Sequence, residues 1–351
     1  MRPSPAFPLS RRGFGVAAAL AAAGACVPAL RAQSRREREK VTIAVGGKAR
    51  FAYLPLTIAE QMGFFRAEGL EVEIRDFATG SQALQAVLSG IADVCSGAFE
   101  HTVSLQSKGK SFRSIVLQGR APQIVMGAST RTLAGYRGLR DLQGRRIGIP
   151  APGGASHMMA TLVLARAGLK PGDAEFVALG TPSAAASALR AGQIDAVSVT
   201  DPVATTLEQK ADIRVVCDTR TLKGTLDLFG GPMPAGCLHA PEDFVQKRSA
   251  TAQALASGMV HALKWLQTAG PGDIVKTVPE PYLLGDRALY LTVFHKMREG
   301  YSPDGLVPEG GPETAVRAMA GFDPAVQLGR IDLPRLYTND FAQRAKDRFQ
   351  A

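Results

Sequence analysis

Two stretches of this chain repeat one short pattern at a fixed offset. The first, Phe77 to Glu100, reads FATGSQALQAVLSGIADVCSGAFE, and the second, Leu179 to Pro202, reads LGTPSAAASALRAGQIDAVSVTDP. Each has Thr and Ser before an Ala-rich helical stretch, then a Gly, an Asp and an apolar run, which indicates a loop, a helix and a strand. Because the unit occurs once in each half, it predicts two similar α/β lobes rather than a solenoid of many repeats.

Strand and helix patterns alternate along the chain from Val41 onward. VTIAVGG and EVEIRDF flank a helical pattern that ends at Gly69, and RRIGIP begins the alternation again at Arg145. Such alternation is typical of mostly parallel sheets with helices on both faces. From Pro241 onward the chain is largely helical. We therefore predict an α/β fold of two lobes with a helical C-terminal region.

The two lobes are expected to be built from segments that are not consecutive. The first lobe would begin with residues 41–128, the second would take 129–232, and the chain would return through MPAGCLHA so that 233–351 completes the first. Two consecutive, unlinked domains would leave the long helical tail without a sheet to cover. The two crossing strands would then form a hinge.

The N-terminus has the three parts of an export signal. Arg11 and Arg12 precede an uncharged stretch that ends at Leu30, and a small residue, Ala32, follows. This pattern predicts a signal over residues 1–32, of the twin-arginine type, followed by a charged tail over 33–40. A permanent anchor is disfavoured because Ala and Gly bury little apolar area. A lipid anchor at Cys26 is the alternative.

The net charge and the cysteines bear on the ligand class and on possible disulfide bonds. Removal of residues 1–32 takes away four arginines and no acids, which lowers the formal charge from +10 to +6. This diffuse positive balance suits a small anionic ligand and does not predict a nucleic-acid partner. Cys95, Cys217 and Cys237 lie far apart in the sequence, which leaves open whether any two of them form a disulfide.

Polar loops at the ends of the predicted strands form the candidate binding site. At the carboxyl edge of a parallel sheet, helix N-termini offer unpaired N–H groups and about half a positive charge. Loops of Gly, Ser and Thr let that backbone approach a ligand closely. The residues in such positions are Gly80, Ser81, Gln82, Ser96, Gly97, Ser156, His157, Thr200 and Asp201. For any single Ser or Thr, an ordinary helix cap explains the residue equally well.

Other residue types complete the predicted site and limit its chemistry. Tyr53 and Leu54 follow the first strand, where they would line the apolar side of the cleft. His101 and His157 lie beside the site loops, but no His, Cys or carboxylate has a metal-binding spacing, so no metal site is predicted. The sequence has no nucleophile elbow and no phosphate-binding loop of the P-loop type. No catalytic residue and no cofactor are therefore predicted.

Three stretches resemble the periplasmic substrate-binding proteins of nitrate/sulfonate/taurine-type ABC importers, a group similar also to thiamine-precursor binding proteins. They read YLPLTIAEQMGFFRAEGLEVEI, GSQALQAVLSGIADV and LRDLQGRRIGIPAPGG, and the similarity runs from about Val41 to Val216. The resemblance implies the type II periplasmic-binding-protein fold, whose lobes close on a ligand. It also implies ligand contacts at Tyr53, Gly80-Ser81-Gln82, Ser96-Gly97, Ser156-His157 and Thr200-Asp201.

These observations together predict a periplasmic, monomeric solute-binding protein and no enzyme. It would capture a sulfonate-, nitrate- or carboxylate-like anion and deliver it to an ABC transporter permease driven by a cytoplasmic ATPase. The carboxylate of Asp201 would repel such an anion unless it points away from the ligand or pairs with a cation. The alternatives are a pyrimidine or thiamine-precursor binder of the same fold and a ligand sensor that takes no part in transport.

Overall fold

The structure, a computed structural model, describes residues 38–351. The predicted export signal, Cys26 and most of the charged tail lie outside these residues. The strands are β1 Glu39–Gly46, β2 Leu70–Phe77, β3 Val94–Ala98, β4 Phe112–Leu117, β5 Ile124–Ser129, β6 Arg146–Ile149, β7 Glu175–Ala178, β8 Ala196–Thr200, β9 Ile213–Asp218 and β10 Gly236–Pro241. The helices are α1 Leu54–Gln61, α2 Phe64–Ala67, α3 Gly80–Leu88, α4 Glu100–Ser107, α5 Ala155–Arg166, α6 Pro182–Ala191, α7 Val203–Gln209, α8 Leu222–Phe229, α9 Glu242–Lys247, α10 Ser249–Thr268, α11 Pro271–Thr277, α12 Arg287–Met297, α13 Gly311–Phe322 and α14 Asp340–Phe349.

The strands form two five-stranded sheets with the same arrangement. Their orders are β2-β1-β3-β10-β4 and β7-β6-β8-β5-β9. In the first sheet β10 runs antiparallel to its neighbours β3 and β4, and in the second sheet β5 runs antiparallel to β8 and β9. The pairs β1–β2, β1–β3, β6–β7 and β6–β8 are parallel. The prediction of an α/β fold with two mostly parallel sheets flanked by helices is confirmed.

The chain crosses between the sheets twice, and each crossing leads into an antiparallel strand. The first crossing spans residues 118–123, and the second runs from the end of β9 through α8 to β10. The two crossings hydrogen-bond to each other, because Ala235 N–H donates to the Gly119 carbonyl (2.9 Å) and Gln123 N–H donates to the Thr219 carbonyl (2.9 Å).

Strand β5 lies in the second sheet, although all of its residues but Ser129 fall within the range 41–128 predicted for the first lobe. Its hydrogen-bonding partners are β8 and β9, both of which follow it in the chain. An apolar run alone does not reveal which sheet a strand will join, because the pairing depends on segments that lie some 70 to 90 residues further on.

The first crossing brings the carboxyl edges of the two sheets close together. It begins after Leu117, which pairs with Cys237, and ends before Ile124, which pairs with Thr200 at the end of β8. Residues 118–123 can span at most about 25 Å even when fully extended. The helix N-termini that follow the parallel strands of both sheets therefore lie at neighbouring edges.

Helices of the C-terminal region cover the first sheet and reach the second. The main apolar cluster joins β1 and β3 to α1, α2 and α10. A second cluster contains Phe99 and Val103 from the first sheet's side and Met158 from α5, with α13 packed between them. Helix α13 thus contacts α4, which packs on the first sheet, and α5, which packs on the second.

The helical pattern PLTIAEQMGFFRAEG forms two helices rather than the single one predicted. Helix α1 ends at Gln61 and α2 begins at Phe64, with Gly63 between them at a φ of 71°. Gly adopts this left-handed conformation without strain, so it is able to break the helix here. Both pieces still pack on α10, where a Cβ at Gly258 would lie only 2.6 Å from the Phe65 ring.

The repeated Asp of the two units has one structural task in both sheets. Asp93 N–H donates to the Thr42 carbonyl (2.9 Å), and its Oδ2 accepts from Thr42 N–H (2.8 Å). Asp195 makes the same pair of bonds with Arg146, at 2.8 and 3.1 Å. Each carboxylate also pairs with an arginine: Arg248 for Asp93 and Arg146 itself for Asp195. The aspartates therefore join neighbouring strands at the amino edge of each sheet.

Within residues 38–351, no helix combines the length and the apolar character that a membrane span requires. Cys95, Cys217 and Cys237 are each unpaired, so no disulfide joins any two of them in this structure.

We predict that Asp195→Asn lowers the free energy of unfolding by about 1–3 kcal/mol at pH 7, because the amide cannot accept all the bonds that the carboxylate accepts. Burial raises the pKa of Asp195, but hydrogen bonds from Arg146 outweigh it and hold the pKa below the ordinary value of 3.8. A lowered folded-state pKa gives stability that is present above the unfolded-state pKa and is lost as pH falls through the folded-state value. Urea unfolding at pH 7 and near pH 3 should show the loss shrinking with acid.

Asp243→Asn is the matched control, because Asp243 makes only an exposed pair with Lys247 one helical turn away. It should have a much smaller effect at either pH. Equal losses in the two variants, or a loss in Asp195→Asn that persists undiminished near pH 3, would contradict the assignment.

Candidate functional site

The N-terminus of α3 lies against the end of β1. A Cβ at Gly46 would fall 2.3 Å from the Gly80 nitrogen, so only glycine permits this approach of two backbones. The Thr79 hydroxyl accepts from Gln82 N–H (3.2 Å) and caps the helix. The N–H groups of Gly80 and Ser81 have no protein acceptor within residues 38–351. Two backbone donors are therefore open at this edge.

The second sheet also has open donors, at the N-terminus of α5. Helix α5 follows Gly153-Gly154, and its first intrahelical bond runs from Met158 N–H to the Gly154 carbonyl (3.0 Å). In the described part of the chain, the N–H groups of Ala155, Ser156 and His157 have no protein acceptor. Helix N-termini with open donors therefore occur at the carboxyl edge of each sheet.

Thr181, the counterpart of Thr79 in the second repeat, also serves as a helix cap. Its hydroxyl accepts from Ala184 N–H (3.2 Å) and lies 3.0 Å from the Ser183 hydroxyl. The ordinary capping explanation therefore accounts for the two repeated threonines, and the open backbone donors of Gly80 and Ser81 are a separate feature.

Residues Ser96 and Gly97, predicted for the site, lie deep in the first sheet rather than at its rim. The Ser96 hydroxyl accepts from Gln118 Nε2 (2.9 Å), and both side chains are fully buried. Gln118 is the first residue of the first crossing, so this hydrogen bond joins Ser96 to that crossing. A Cβ at Gly80 would lie 3.6 Å from the His101 ring, which places His101 directly beneath the N-terminus of α3.

Tyr53 and Leu54, expected to line the cleft, belong to the main apolar core. They are only 8% and 2% exposed. Burial raises the pKa of Tyr53 far above its ordinary value. Gln82, by contrast, is exposed and lines a surface groove of about 670 Å³ beside α3. The structure therefore does not bring Tyr53, Leu54 and Gln82 to one surface.

Ser156 and His157, at the start of α5, face two different environments. The Ser156 carbonyl accepts from the Ser198 hydroxyl of β8 (2.8 Å), which fixes the helix on its sheet. The His157 ring packs edge-on against Phe176 (4.5 Å between ring centroids) and Phe322 of α13 (5.0 Å). Its Nδ1 accepts from Gly153 N–H (3.1 Å), and burial lowers its pKa. His157 thus binds the backbone of the preceding loop and contacts α13.

Thr200 ends β8, and Asp201 follows it with a fully buried carboxylate. Asp201 Oδ1 accepts from Thr205 N–H (2.7 Å), and Oδ2 pairs with the Arg220 guanidinium (3.1 Å). Both oxygens therefore have protein partners, and the repulsion that this charge would exert on an anion is offset by Arg220.

Arg220 is the centre of a charge network that the sequence did not reveal. It is 3% exposed and contacts Asp201, Asp218 and Glu208, and Glu208 also pairs with Lys296 of α12. Burial alone would lower the pKa of Arg220, but the surrounding carboxylates raise it above its ordinary value. The network therefore joins the second sheet to the C-terminal region beside the second crossing.

A cluster of potential metal ligands lies on one face of the first sheet. The Cys95 sulfur and one nitrogen each of His101 and His239 are within 4.8 Å of one another. Sequence spacing could not reveal this cluster. The pairing of β3 with β10 brings together residues that are far apart in the chain.

The comparisons with known proteins agree with this architecture. The family model described as the NMT1-like family matches residues 36–277. A solved structure from Bordetella bronchiseptica RB50 is 53% identical, covers 90% of this chain and 99% of that one, and superposes with a TM-score of 0.82. The alkanesulfonate-binding protein SsuA from Xanthomonas axonopodis pv. citri, bound to MOPS, is 18% identical over 86% of this chain and 99% of its own, with a TM-score of 0.68.

A curated relative gives a more partial match. A binding protein of Brucella abortus (strain 2308) is 28% identical over 177 residues, which are 49% of this chain and 51% of that protein. The chain thus matches about half the length of the first curated relatives. The distant SsuA likeness shows the fold alone, and the resemblance to periplasmic binding proteins seen in the sequence is confirmed.

We predict that Arg220→Met lowers the free energy of unfolding by about 3–5 kcal/mol, because it leaves the buried carboxylate of Asp201 without its cation. Denaturant unfolding of the purified protein measures this loss. Lys223→Met is the control, since the Lys223–Asp227 pair is exposed on α8, and its loss should be barely measurable. A similar, small effect of both substitutions would show that Arg220 is not the centre of the network.

Proposed function

The chain belongs to the NMT1-like family, and from that membership we propose that it is an exported solute-binding protein that captures a small organic anion between its lobes. The observation that carries the proposal is the presence of open backbone N–H donors on two helices, α3 and α5, at neighbouring carboxyl edges of the two sheets. Each helix N-terminus also contributes about half a positive charge, which favours an anion.

The open donors supply enough binding energy to hold the lobes closed. Hydrogen bonds to a charged group contribute about 1.5–3 kcal/mol each. A ligand must bind the closed state about 5.5 kcal/mol more tightly to shift a lobe equilibrium from 1:99 to 99:1. Two or three bonds made only when both lobes contact the anion are therefore sufficient.

The side chains around these donors favour a ligand with a compact anionic group. Asp201 has its own partner in Arg220, so its charge is balanced within the protein. Of the backbone donors, those of Gly80 and Ser81 would contact the ligand from the first lobe, and those of Ser156 and His157 from the second. Sulfonate, nitrate and carboxylate groups each present several acceptor oxygens to such donors.

The two crossings provide a route for closure. Their mutual hydrogen bonds, at Gly119–Ala235 and Gln123–Thr219, hold the two strands of the hinge side by side. We propose that rotation about these residues opens and closes the cleft, while the pair between Glu208 and Lys296 limits the motion on one side.

The family resemblance supports the remaining parts of the proposal. The protein would be exported to the periplasm by its twin-arginine signal, act as a monomer, and deliver its ligand to an ABC permease with a cytoplasmic ATPase. It would bind its ligand without turnover.

We predict that one small anion raises the melting temperature of the purified protein. Binding at a hundred times Kd adds about 2.7 kcal/mol of stability. A melting screen should include taurine, alkanesulfonates, nitrate, small carboxylates and pyrimidines, each with mass spectrometry of the recovered compound. A shift with pyrimidines alone would favour the thiamine-precursor alternative, and consumption of any compound would favour an enzyme.

Ser81→Asp should weaken binding of the active anion by about tenfold or more, which corresponds to about 1.4 kcal/mol. The new carboxylate suits the first turn of α3 but repels an anion at its N–H groups. Isothermal titration measures the change in Kd.

Ser249→Asp is the matched control, because Ser249 is an exposed residue at the start of α10. The preceding residue, Arg248, contacts Glu39 and Asp93 at the amino edge of the first sheet, opposite the proposed site. Equal affinities of wild type and Ser81→Asp would rule out the α3 N-terminus as a contact.

A further inference from the structure

One cysteine and two histidines meet on a single face of the first sheet. Cys95 of β3 lies directly opposite His239 of β10, and His101 reaches both from the first turn of α4. The Cys95 Sγ and one ring nitrogen of each histidine lie within 4.8 Å of one another. The rings of the two histidines meet edge to face at an interplanar angle of 74°, with centroids 5.5 Å apart. The three side chains therefore point to one centre.

Both histidines have a buried nitrogen that lacks a hydrogen-bond partner. These atoms are the Nδ1 of His101 and the Nε2 of His239, and no group within residues 38–351 pairs with either. His239 has no exposed surface. A buried polar atom without a partner costs about 1–3 kcal/mol, so two in one cluster indicate that a partner is missing.

Gly97 keeps the centre of this cluster open. It lies two residues after Cys95 on the same face of β3. A Cβ at Gly97 would lie 3.0 Å from the Cys95 sulfur, 3.0 Å from the His239 ring and 3.1 Å from His101 Nδ1. An ion bound 2.0–2.3 Å from its ligands needs the space that such a Cβ would fill. To bind the ion, the three ligand atoms would have to approach one another by only about 1 Å.

The protonation states of the histidines suit a metal. Burial lowers the pKa of His101 to about 4 and holds the pKa of His239 well below its ordinary value. Both rings are therefore neutral at pH 7, each with a free lone pair. Burial raises the pKa of Cys95 to about 12, so a bound metal would have to displace the thiol proton.

A neighbouring cysteine orients one of these ligands. The Cys237 sulfur lies 3.5 Å from His239 Nδ1. A hydrogen bond from Nδ1–H to this sulfur leaves the lone pair on Nε2, which is the nitrogen without a partner. Such outer contacts commonly fix the tautomer and direction of a metal-bound histidine.

We propose that Cys95, His101 and His239 bind a transition-metal ion, with Zn²⁺ the ion whose preferences they meet best. One thiolate and two imidazoles are ligands that Zn²⁺ accepts in tetrahedral sites, and a three-residue set leaves a fourth position open. Packing as a small apolar residue would explain Cys95 alone but not the two unpartnered nitrogens. The proposal does not depend on which solute the lobes bind.

The test uses the purified full-length chain, stripped with a chelator and then titrated with Zn²⁺ or Co²⁺. We expect one equivalent of metal per chain by elemental analysis. With Co²⁺ we expect visible bands of a tetrahedral site and a sulfur-to-cobalt charge-transfer band, which a nitrogen-only site would lack. Failure to retain about one equivalent of either ion would overturn the proposal, and it would leave anion binding unaffected.

Variants assign the metal to these residues. Cys95→Ser should lose the charge-transfer band, and Cys95→Ser and His101→Gln should each lower the affinity at least tenfold. Cys217→Ser is the matched control, because Cys217 lies on β9 in the other sheet and should leave both readouts unchanged. Circular dichroism checks folding, and His101→Gln decides the outcome if Cys95→Ser does not fold. An unchanged spectrum and affinity in the variants would refute the site.

Discussion

The antiparallel strand that stands fourth in the order of each sheet is the constraint on which the rest of the structure depends. Strands β5 and β10 each enter their sheet directly from a crossing, so both crossings must join the carboxyl edges of the parallel strands. Helix N-termini, glycine turns and strand ends of the two lobes are thereby brought to neighbouring edges. The position of the proposed binding site depends on these two crossings more than on any one side chain. If β5 or β10 paired differently, the carboxyl edges of the two sheets would be separated.

The repeated unit supplies the same scaffold to both sheets. Asp93 and Asp195 join neighbouring strands at the amino edge, and Thr79 and Thr181 cap the helices that follow the strands. With these side chains occupied in structure, the open groups are backbone N–H donors at the start of α3 and, outside the repeated unit, at the start of α5. Backbone donors are held in place by the helix itself, so they need little ordering when a ligand binds.

Local patterns in the sequence predicted the features that depend on local physics. The strands, the long helix α10, the two-lobed α/β fold and its family resemblance follow from periodicity and from the repeated stretches. Other features depend on residues far apart in the chain and were not predicted. They are the sheet that β5 joins, the pairing of Asp201 with Arg220 and the contact between Cys95 and His239. The position of Tyr53 was also not predictable from local sequence. It follows a strand, but the sequence did not reveal that its ring packs into the core.

The central claim is that one ligand binds the helix starts of both lobes together. Hydrogen–deuterium exchange tests it most directly, with the protein compared in the absence and presence of whichever anion raises its melting temperature. The account predicts slower exchange at residues 80–83 and at residues 155–158, with the same dependence on anion concentration. Protection of only one of these segments, or of neither, while the anion is bound would contradict it.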